Sequence, residues 1–261
     1  MQSLKKLNVY YQNVRGLRTK TEDFLSNVLS RNIDVIVLSE TWLNENIHCN
    51  ELFDKNFTVY RADRDLTRTA KLDGGGCLIA VNSKFYSRRV DEWEVTDEDI
   101  WVSIEKCDTA VLFINVKYIN DKSTLDQYNT HFKKIDEILN VSSPNSEFLL
   151  LGDYNLSDSI EWILDSNGIC IARNIQGRKK QMAHALIDTL ALCNLNQFSY
   201  VRNINSRILD LAISNVDHTK LSLIEDVDPL VKIDKQHPAL ILTLNLKPLK
   251  YLYERDPPNS G

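Results

Sequence analysis

Leu149-Leu150-Leu151-Gly152-Asp153-Tyr154-Asn155 runs from an unbroken apolar stretch into a glycine and then two polar residues two positions apart. An apolar run without alternation reads as a strand buried on both faces. Asp153 and Asn155, at i and i+2 of an extended segment, share one face. A carboxylate at the end of such a strand is costly unless it serves a site, although an isolated Gly-Asp-x-Asn is also an ordinary turn. Three other segments repeat the pattern. Tyr11-Gln12-Asn13-Val14-Arg15-Gly16-Leu17 ends a strand in an amide and a glycine turn, and Leu38-Ser39-Glu40-Thr41-Trp42-Leu43 ends the most apolar strand in a carboxylate. Leu209-Asp210-Leu211 is followed by Asp234-Lys235-Gln236-His237-Pro238. Together these segments supply an amide, carboxylates and one imidazole at strand ends, a standard kit for attack on phosphorus with one divalent cation.

Outward from these segments, strands are expected at 7–12, 34–39, 57–61, 77–81, 101–105, 110–118, 147–151, 209–214 and 239–244. A helix between the first two carries Phe24, Leu25, Val28 and Leu29 on one face. Leu125, Tyr128, Phe132, Ile135, Ile138 and Leu139 step mostly by three or four and mark a second helix, with Ser123 and Asp126 resembling a capping box. A third is expected over 183–193. More strands than helices from end to end imply an α/β fold with sheets sandwiched by helices.

The chain has 261 residues, 43% hydrophobic and 26% charged, enough for a sizeable core. No apolar window reaches membrane-span length, and the N-terminus leads into a strand with no room for a signal peptide. Five cysteines without a C-x-x-C pair exclude zinc fingers and disulfide scaffolds and point to a reducing, intracellular setting. A net charge of −5 argues against a general nucleic-acid coat but not against a nuclease, because metal-holding carboxylates shift charge the same way. All prolines lie at or beyond Pro144, and Asp256-Pro257-Pro258 closes the chain in a linker-like tail. The expected division is one domain over 1–246, with 247–261 a tail or the start of a linker to a further domain.

The motifs QNVRGL, LSETWL, DGGGCLIAV, LLLGDYNL, ILDLAISN and DKQHPAL resemble those of the exonuclease–endonuclease–phosphatase superfamily. More narrowly, they are similar to the endonuclease domain of non-LTR retrotransposons of the jockey and chicken-repeat kind. The resemblance runs from about Leu7 to Leu244 and implies a four-layer αββα sandwich, two packed mixed sheets flanked by helices, with the site on one edge. Matched position by position, it implies Glu40 as the main metal ligand with Asn13 beside it, in an oxygen-only site suited to Mg2+ or to Mn2+ as a substitute. It implies Tyr118 as a hydrogen-bond partner of the scissile phosphate, against an alternative as a packing aromatic. Asp153 would position or deprotonate the attacking water, and Asn155 would donate to the phosphate. His237 would bond the phosphate or move a proton, with Asp210 fixing its tautomer. Either Asp153 or His237 is the general base.

Two positions depart from the superfamily pattern. Arg15 and Gln236 stand where many repair enzymes have carboxylates, and Asp234 lies three residues before His237. Either the loop bends so that Asp234 serves as an auxiliary metal carboxylate, or Asp234 is a loop residue. His48, His131, His184 and His218 fall outside the motifs and read as surface or structural.

The implied function is a magnesium-dependent endonuclease that nicks double-stranded DNA in the nucleus, leaving a 3′-hydroxyl to prime reverse transcription. Its partner would be a reverse-transcriptase domain on the same polyprotein, with no membrane involved. An abasic-site nuclease, an inositol or lipid phosphodiesterase, or a non-catalytic binding module are the alternatives. The absence of Trp between Phe198 and Leu209 weakens the first, the absence of W-C-D-R the second, and the intact set of site residues the third. Two basic clusters, Arg61, Arg64, Arg68 and Lys71 beside the Gly74-Gly75-Gly76 run, and Arg173, Arg178, Lys179 and Lys180, either track a DNA backbone or form solvated faces.

Overall fold

The computed structural model describes residues 5–64, 74–96, 98–106 and 110–247. In chain order they form β1 (Lys5–Asn13), α1 (Thr21–Ser30), β2 (Val35–Ser39), β3 (Phe57–Ala62), β4 (Cys77–Asn82), β5 (Ser87–Arg89) and β6 (Asp99–Glu105). There follow β7 (Val111–Tyr118), α2 (Leu125–Val141), β8 (Glu147–Asp153), β9 (Ile160–Leu164), β10 (Cys170–Ile175) and α3 (Lys180–Leu192). The last strands are β11 (Asn196–Gln197), β12 (Asp210–Ser214), β13 (Leu221–Glu225) and β14 (Leu240–Leu246). A six-stranded sheet has the order β13-β14-β1-β2-β4-β3, and an eight-stranded sheet the order β5-β6-β7-β8-β12-β11-β10-β9.

Period-two alternation explains why the central strands are apolar at every position. Val9, Val35, Val37, Ile79 and Val81 meet Ile114, Val116, Leu149 and Leu151 in the core between the sheets. Their neighbours in sequence, Tyr10, Ile36, Leu38, Leu78 and Ala80, face outward onto Phe24 and Val28 of α1. Phe113, Phe148, Leu150 and Ile213 likewise face Tyr128, Phe132, Ile135 and Ile138 of α2 and Ala183, Leu186 and Leu190 of α3. The result is the four-layer αββα sandwich. No helix among the described residues is long and apolar enough to cross a membrane.

Five strands were not legible as apolar runs: β5, β9, β10, β11 and β13. They are short or half-exposed, and their pairing with a neighbouring strand holds them. The cap of α2 falls one residue later than the sequence suggested. Thr124, in extended backbone at ψ 163°, accepts from Gln127 N, and the Gln127 side chain answers it. β6 begins at Asp99, earlier than its apolar residues, because Asn115 Nδ2 donates to the buried Asp99 carboxylate at 2.6 Å.

Two βαβ units place chemistry on one edge. β1 and β2 are parallel and joined through α1, with Asn13 paired to Ser39. β7 and β8 are parallel and joined through α2, with Tyr118 paired to Asp153. β12 runs antiparallel to β8 and starts at the same edge, so Asp210 lies directly opposite Asp153. Gly152 permits the close approach of β8 to β7: a Cβ there would stand 2.0 Å from the Lys117 carbonyl oxygen.

Candidate active site

His237 reaches the edge from the turn before β14, and its Nδ1 lies 2.9 Å from Asp210 Oδ2. The other oxygen of Asp210 accepts from the Tyr11 hydroxyl at 2.8 Å, and Tyr11 in turn meets Ser39 Oγ at 2.9 Å. With both Asp210 oxygens engaged, Nδ1 is the ring atom that carries a hydrogen toward Asp210, and Nε2 is left facing the cleft. Burial lowers the affinity of the imidazole for a proton, but Asp210, then Asp153 and Asp234, overcome it and push the pKa up to about 9. Tyr11 had no assigned role from sequence. Its position two residues before Asn13 on β1, and so on the same face, was the available signal.

Asp153 lies 3.9 Å from His237 Nε2 through its Oδ2, too long for a hydrogen bond and close enough for one oxygen beside the pair to contact both. The same oxygen accepts from Asn13 Nδ2 at 3.3 Å, and Oδ1 accepts from Asn155 N at 2.9 Å. Burial and the facing Asp210 carboxylate raise the Asp153 pKa well above the ordinary carboxylate range, against the pull of His237. Asn155 spends one amide hydrogen on the Ile119 carbonyl at 2.8 Å. Lys179 is buried beneath this loop, donating to Asn155 O at 2.9 Å and pairing with Asp121 at 2.8 Å.

Glu40 follows β2 and is held by two donors. Its Oε2 accepts from Trp42 Nε1 and, at 3.3 Å, from Gly75 N. Burial, followed by the charge of Glu40, raises the Tyr118 pKa. Behind Gly75 the Arg64 guanidinium donates to Glu98 Oε1 at 2.7 Å. A Cβ on Gly75 would overlap both partners, at 1.7 Å from Glu98 Oε1 and 2.4 Å from Arg64 Nε. The glycine run therefore seats an ion pair against the backbone beside Glu40, which sequence alone did not reveal. Arg15, Glu40, Trp42 and Asn155 all have positive φ, between 40° and 55°. Left-handed backbone at four non-glycine residues around one site is strain that the surrounding structure maintains.

The structure thus gathers Asn13, Glu40, Tyr118, Asp153, Asn155, Asp210 and His237 on one edge. The turn at 234–237 does bend, with His237 N bonded to Asp234 O at 2.8 Å, but the Asp234 carboxylate is taken by Arg15 Nη1 at 2.8 Å and by Gln236 N at 2.8 Å. Arg61 is committed to Asp63 and to the carbonyls of Ile47 and Asn44, and Arg64 to Glu98, so neither offers a free guanidinium. Arg68 and Lys71 lie outside the described residues. Of the second basic cluster, Lys179 is buried, whereas Lys180 and Arg173 are exposed and Arg178 is 81% exposed and weakly paired with Asp121. His131 is structural, buried between Asp99 and Tyr154.

Asp153, Asp210 and His237 present atoms within 4.8 Å of one another that could hold a metal ion. The Asp210–His237 bond and the Tyr11 contact engage one oxygen of Asp210 each. Glu40 and the Asn13 side-chain oxygen offer a hard, oxygen-only donor set. Glu40, Asp153 and Asp210 are all buried, and the imidazole of His237 lies against the two aspartates. A divalent cation at Glu40 fits these buried carboxylates.

The αββα sandwich matches the fold of exonuclease–endonuclease–phosphatase proteins. The endonuclease domain of TRAS1, a telomere-specific non-LTR retrotransposon, superposes with a TM-score of 0.66 at 13% identity, over 93% of this chain and all of that domain. An AP endonuclease from Archaeoglobus fulgidus gives 0.56 at 11% identity, over 92% of this chain and 100% of that one. NExo, a 3′ phosphatase from Neisseria bound to a product DNA hairpin, gives 0.57 at 12% identity, over 90% and 98%. The amino-acid sequence itself matches no family model and no curated relative, so the likeness is one of fold.

Proposed function

We propose that this chain is a divalent-metal-dependent DNA endonuclease whose nick leaves a 3′-hydroxyl that primes reverse transcription of a retroelement. The observation that carries the reading is the buried Asp210–His237 pair facing Asp153, with Asn13 and Glu40 on the adjoining strand ends. Glu40, with Asn13 beside it, is the holder of the cation, Mg2+ with Mn2+ as a substitute. When bound, the cation supplies charge stabilisation at phosphate oxygens.

The remaining chemistry belongs to side chains. Asp153, whose raised pKa suits proton abstraction, takes a proton from the attacking water. His237, protonated at neutral pH, donates from Nε2 to a phosphate oxygen as charge builds there. This divides the two roles: Asp153 is the base and His237 the cationic donor. Asp210 holds the ring through Nδ1, and Tyr118 and the remaining amide hydrogen of Asn155 complete the phosphate contacts. The phosphorus–O3′ bond breaks as a solvent water protonates the departing O3′, giving a 3′-hydroxyl and a 5′-phosphate.

Duplex DNA is the substrate, a reverse-transcriptase domain on the same polyprotein the partner, and the nucleus the place of action. The structural likeness to the TRAS1 domain supports this choice among enzymes of the fold. Incubation with supercoiled plasmid and magnesium, followed by mapping of nick positions and end chemistry, tests it. Nicks bearing 3′-hydroxyls support the reading. Cutting only at abasic sites, or removal of 3′-phosphates without nicking, replaces it with a repair activity. Binding without cleavage in any divalent metal leaves a binding module.

A further inference from the structure

Asp234 and Gln236 flank the turn that carries His237, and each spends its polar groups away from the imidazole. Asp234 builds the turn itself: its carbonyl accepts from His237 N and its Oδ1 from Gln236 N, both at 2.8 Å. Its second oxygen reaches Arg15 Nη1 at 2.8 Å, on the loop that follows β1 in the six-stranded sheet. Gln236 Oε1 accepts from Asn203 Nδ2 and Asn205 Nδ2, both at 3.1 Å, on the loop before β12 in the eight-stranded sheet. Lys235 O adds a backbone bond from Ile204 N at 3.1 Å. The turn is therefore tied to both sheets, and β12 is the strand that opens with Asp210, the partner of His237.

We propose that Asp234 and Gln236 are positioning residues, braces that hold the His237 imidazole between Asp210 and Asp153 by tying its turn to the two sheets. The inference rests on reading His237 as part of a phosphodiester-cleaving site. Arg15 and Gln236, which stand where many repair enzymes have carboxylates, are the outer anchor of one brace and the inner anchor of the other. The need for bracing is geometric. His237 sits in a loop, and its Nε2 must stay 3.9 Å from Asp153 so that one oxygen can contact both, and a displacement of about 1 Å removes the productive arrangement. The Arg15–Asp234 pair is 48% and 31% exposed and contributes little to global stability. Its loss is felt at the turn.

The test compares Asp234→Ala and Gln236→Leu with the conservative Asp234→Asn and Gln236→Glu, which keep the turn acceptor and the acceptor for the two asparagines. The readouts are kcat and KM for plasmid nicking, and hydrogen exchange of the His237 amide in metal-free, substrate-free protein. The disruptive variants should lose kcat roughly tenfold or more with KM within about twofold, and their His237 amide should exchange faster while the melting temperature barely moves. The conservative variants should recover most of both. Unchanged kcat and unchanged exchange in both disruptive variants would overturn the proposal, as would a loss confined to KM. A gain in kcat for Gln236→Glu, at lower magnesium, would overturn it in favour of a metal-ligand position. If a disruptive variant fails to melt cooperatively, Arg15→Met carries the same comparison from the opposite side of the brace. If the unmodified protein cuts no DNA in any divalent metal, the proposed function fails, and the exchange measurement still decides the brace.

Discussion

Asp210→Asn isolates what the buried pair contributes. The native carboxylate lies 2.9 Å from His237 Nδ1, and its other oxygen takes the Tyr11 hydroxyl at 2.8 Å. An asparagine that keeps its carbonyl on Tyr11 turns its amide hydrogens toward Nδ1. The ring proton then sits on Nε2, and the imidazole is a neutral donor where it had been a cation. A hydrogen bond between charged groups nets about 1.5–3 kcal/mol, and at about 1.4 kcal/mol per decade the rate of nicking should fall roughly 10- to 100-fold. The same loss should bring His237 to titrate about one to two pH units lower than its native value near 9. The pKa of His237 is raised in the fold, so its contribution to stability is complete below about pH 6.5 and lost as pH rises through about 9. The variant should flatten that loss. The assay pairs plasmid nicking under single-turnover conditions with NMR titration of the His237 ring in metal-free buffer. A variant that nicks within twofold of the native rate, with an imidazole that titrates unchanged, would refute the reasoning.

Glu40→Gln keeps acceptors for Trp42 Nε1 and Gly75 N while removing the charge. Nicking should collapse with the melting temperature nearly unchanged, and full native activity in excess chelator would contradict a metal role. Gly152→Ala should destabilise the protein by about 3 kcal/mol, the upper end for overpacking, because its Cβ would stand 2.0 Å from the Lys117 carbonyl. A chemical-denaturation midpoint near that of the native protein would show that β7 and β8 can part. Arg178→Glu, at an 81% exposed side chain, should weaken DNA binding and lower the salt slope by about 0.9 for each lost phosphate contact. An unaltered slope would make Arg178 part of a solvated face.

The sequence by itself determined which strands lie in the middle of the sheets and which residues end them. Val35-Ile36-Val37-Leu38 and Leu149-Leu150-Leu151 have no polar face to show to water, so they must be covered on both sides, and Glu40 and Asp153 must fall at a rim. Period-two alternation also places Tyr11 with Asn13, although no role followed until Asp210 was seen beside it. Alternation fixes the face of a side chain and leaves its partner strand open. Only the tertiary structure set Asp153 opposite Asp210, bent Glu40 and Asn155 into left-handed backbone, and consumed Arg61 and Arg64 in internal pairs. It also turned Asp234 to Arg15 and Gln236 to Asn203 and Asn205. Those outcomes depend on contacts between segments up to 219 residues apart, where charge and hydrogen-bonding groups find partners that local spacing cannot name.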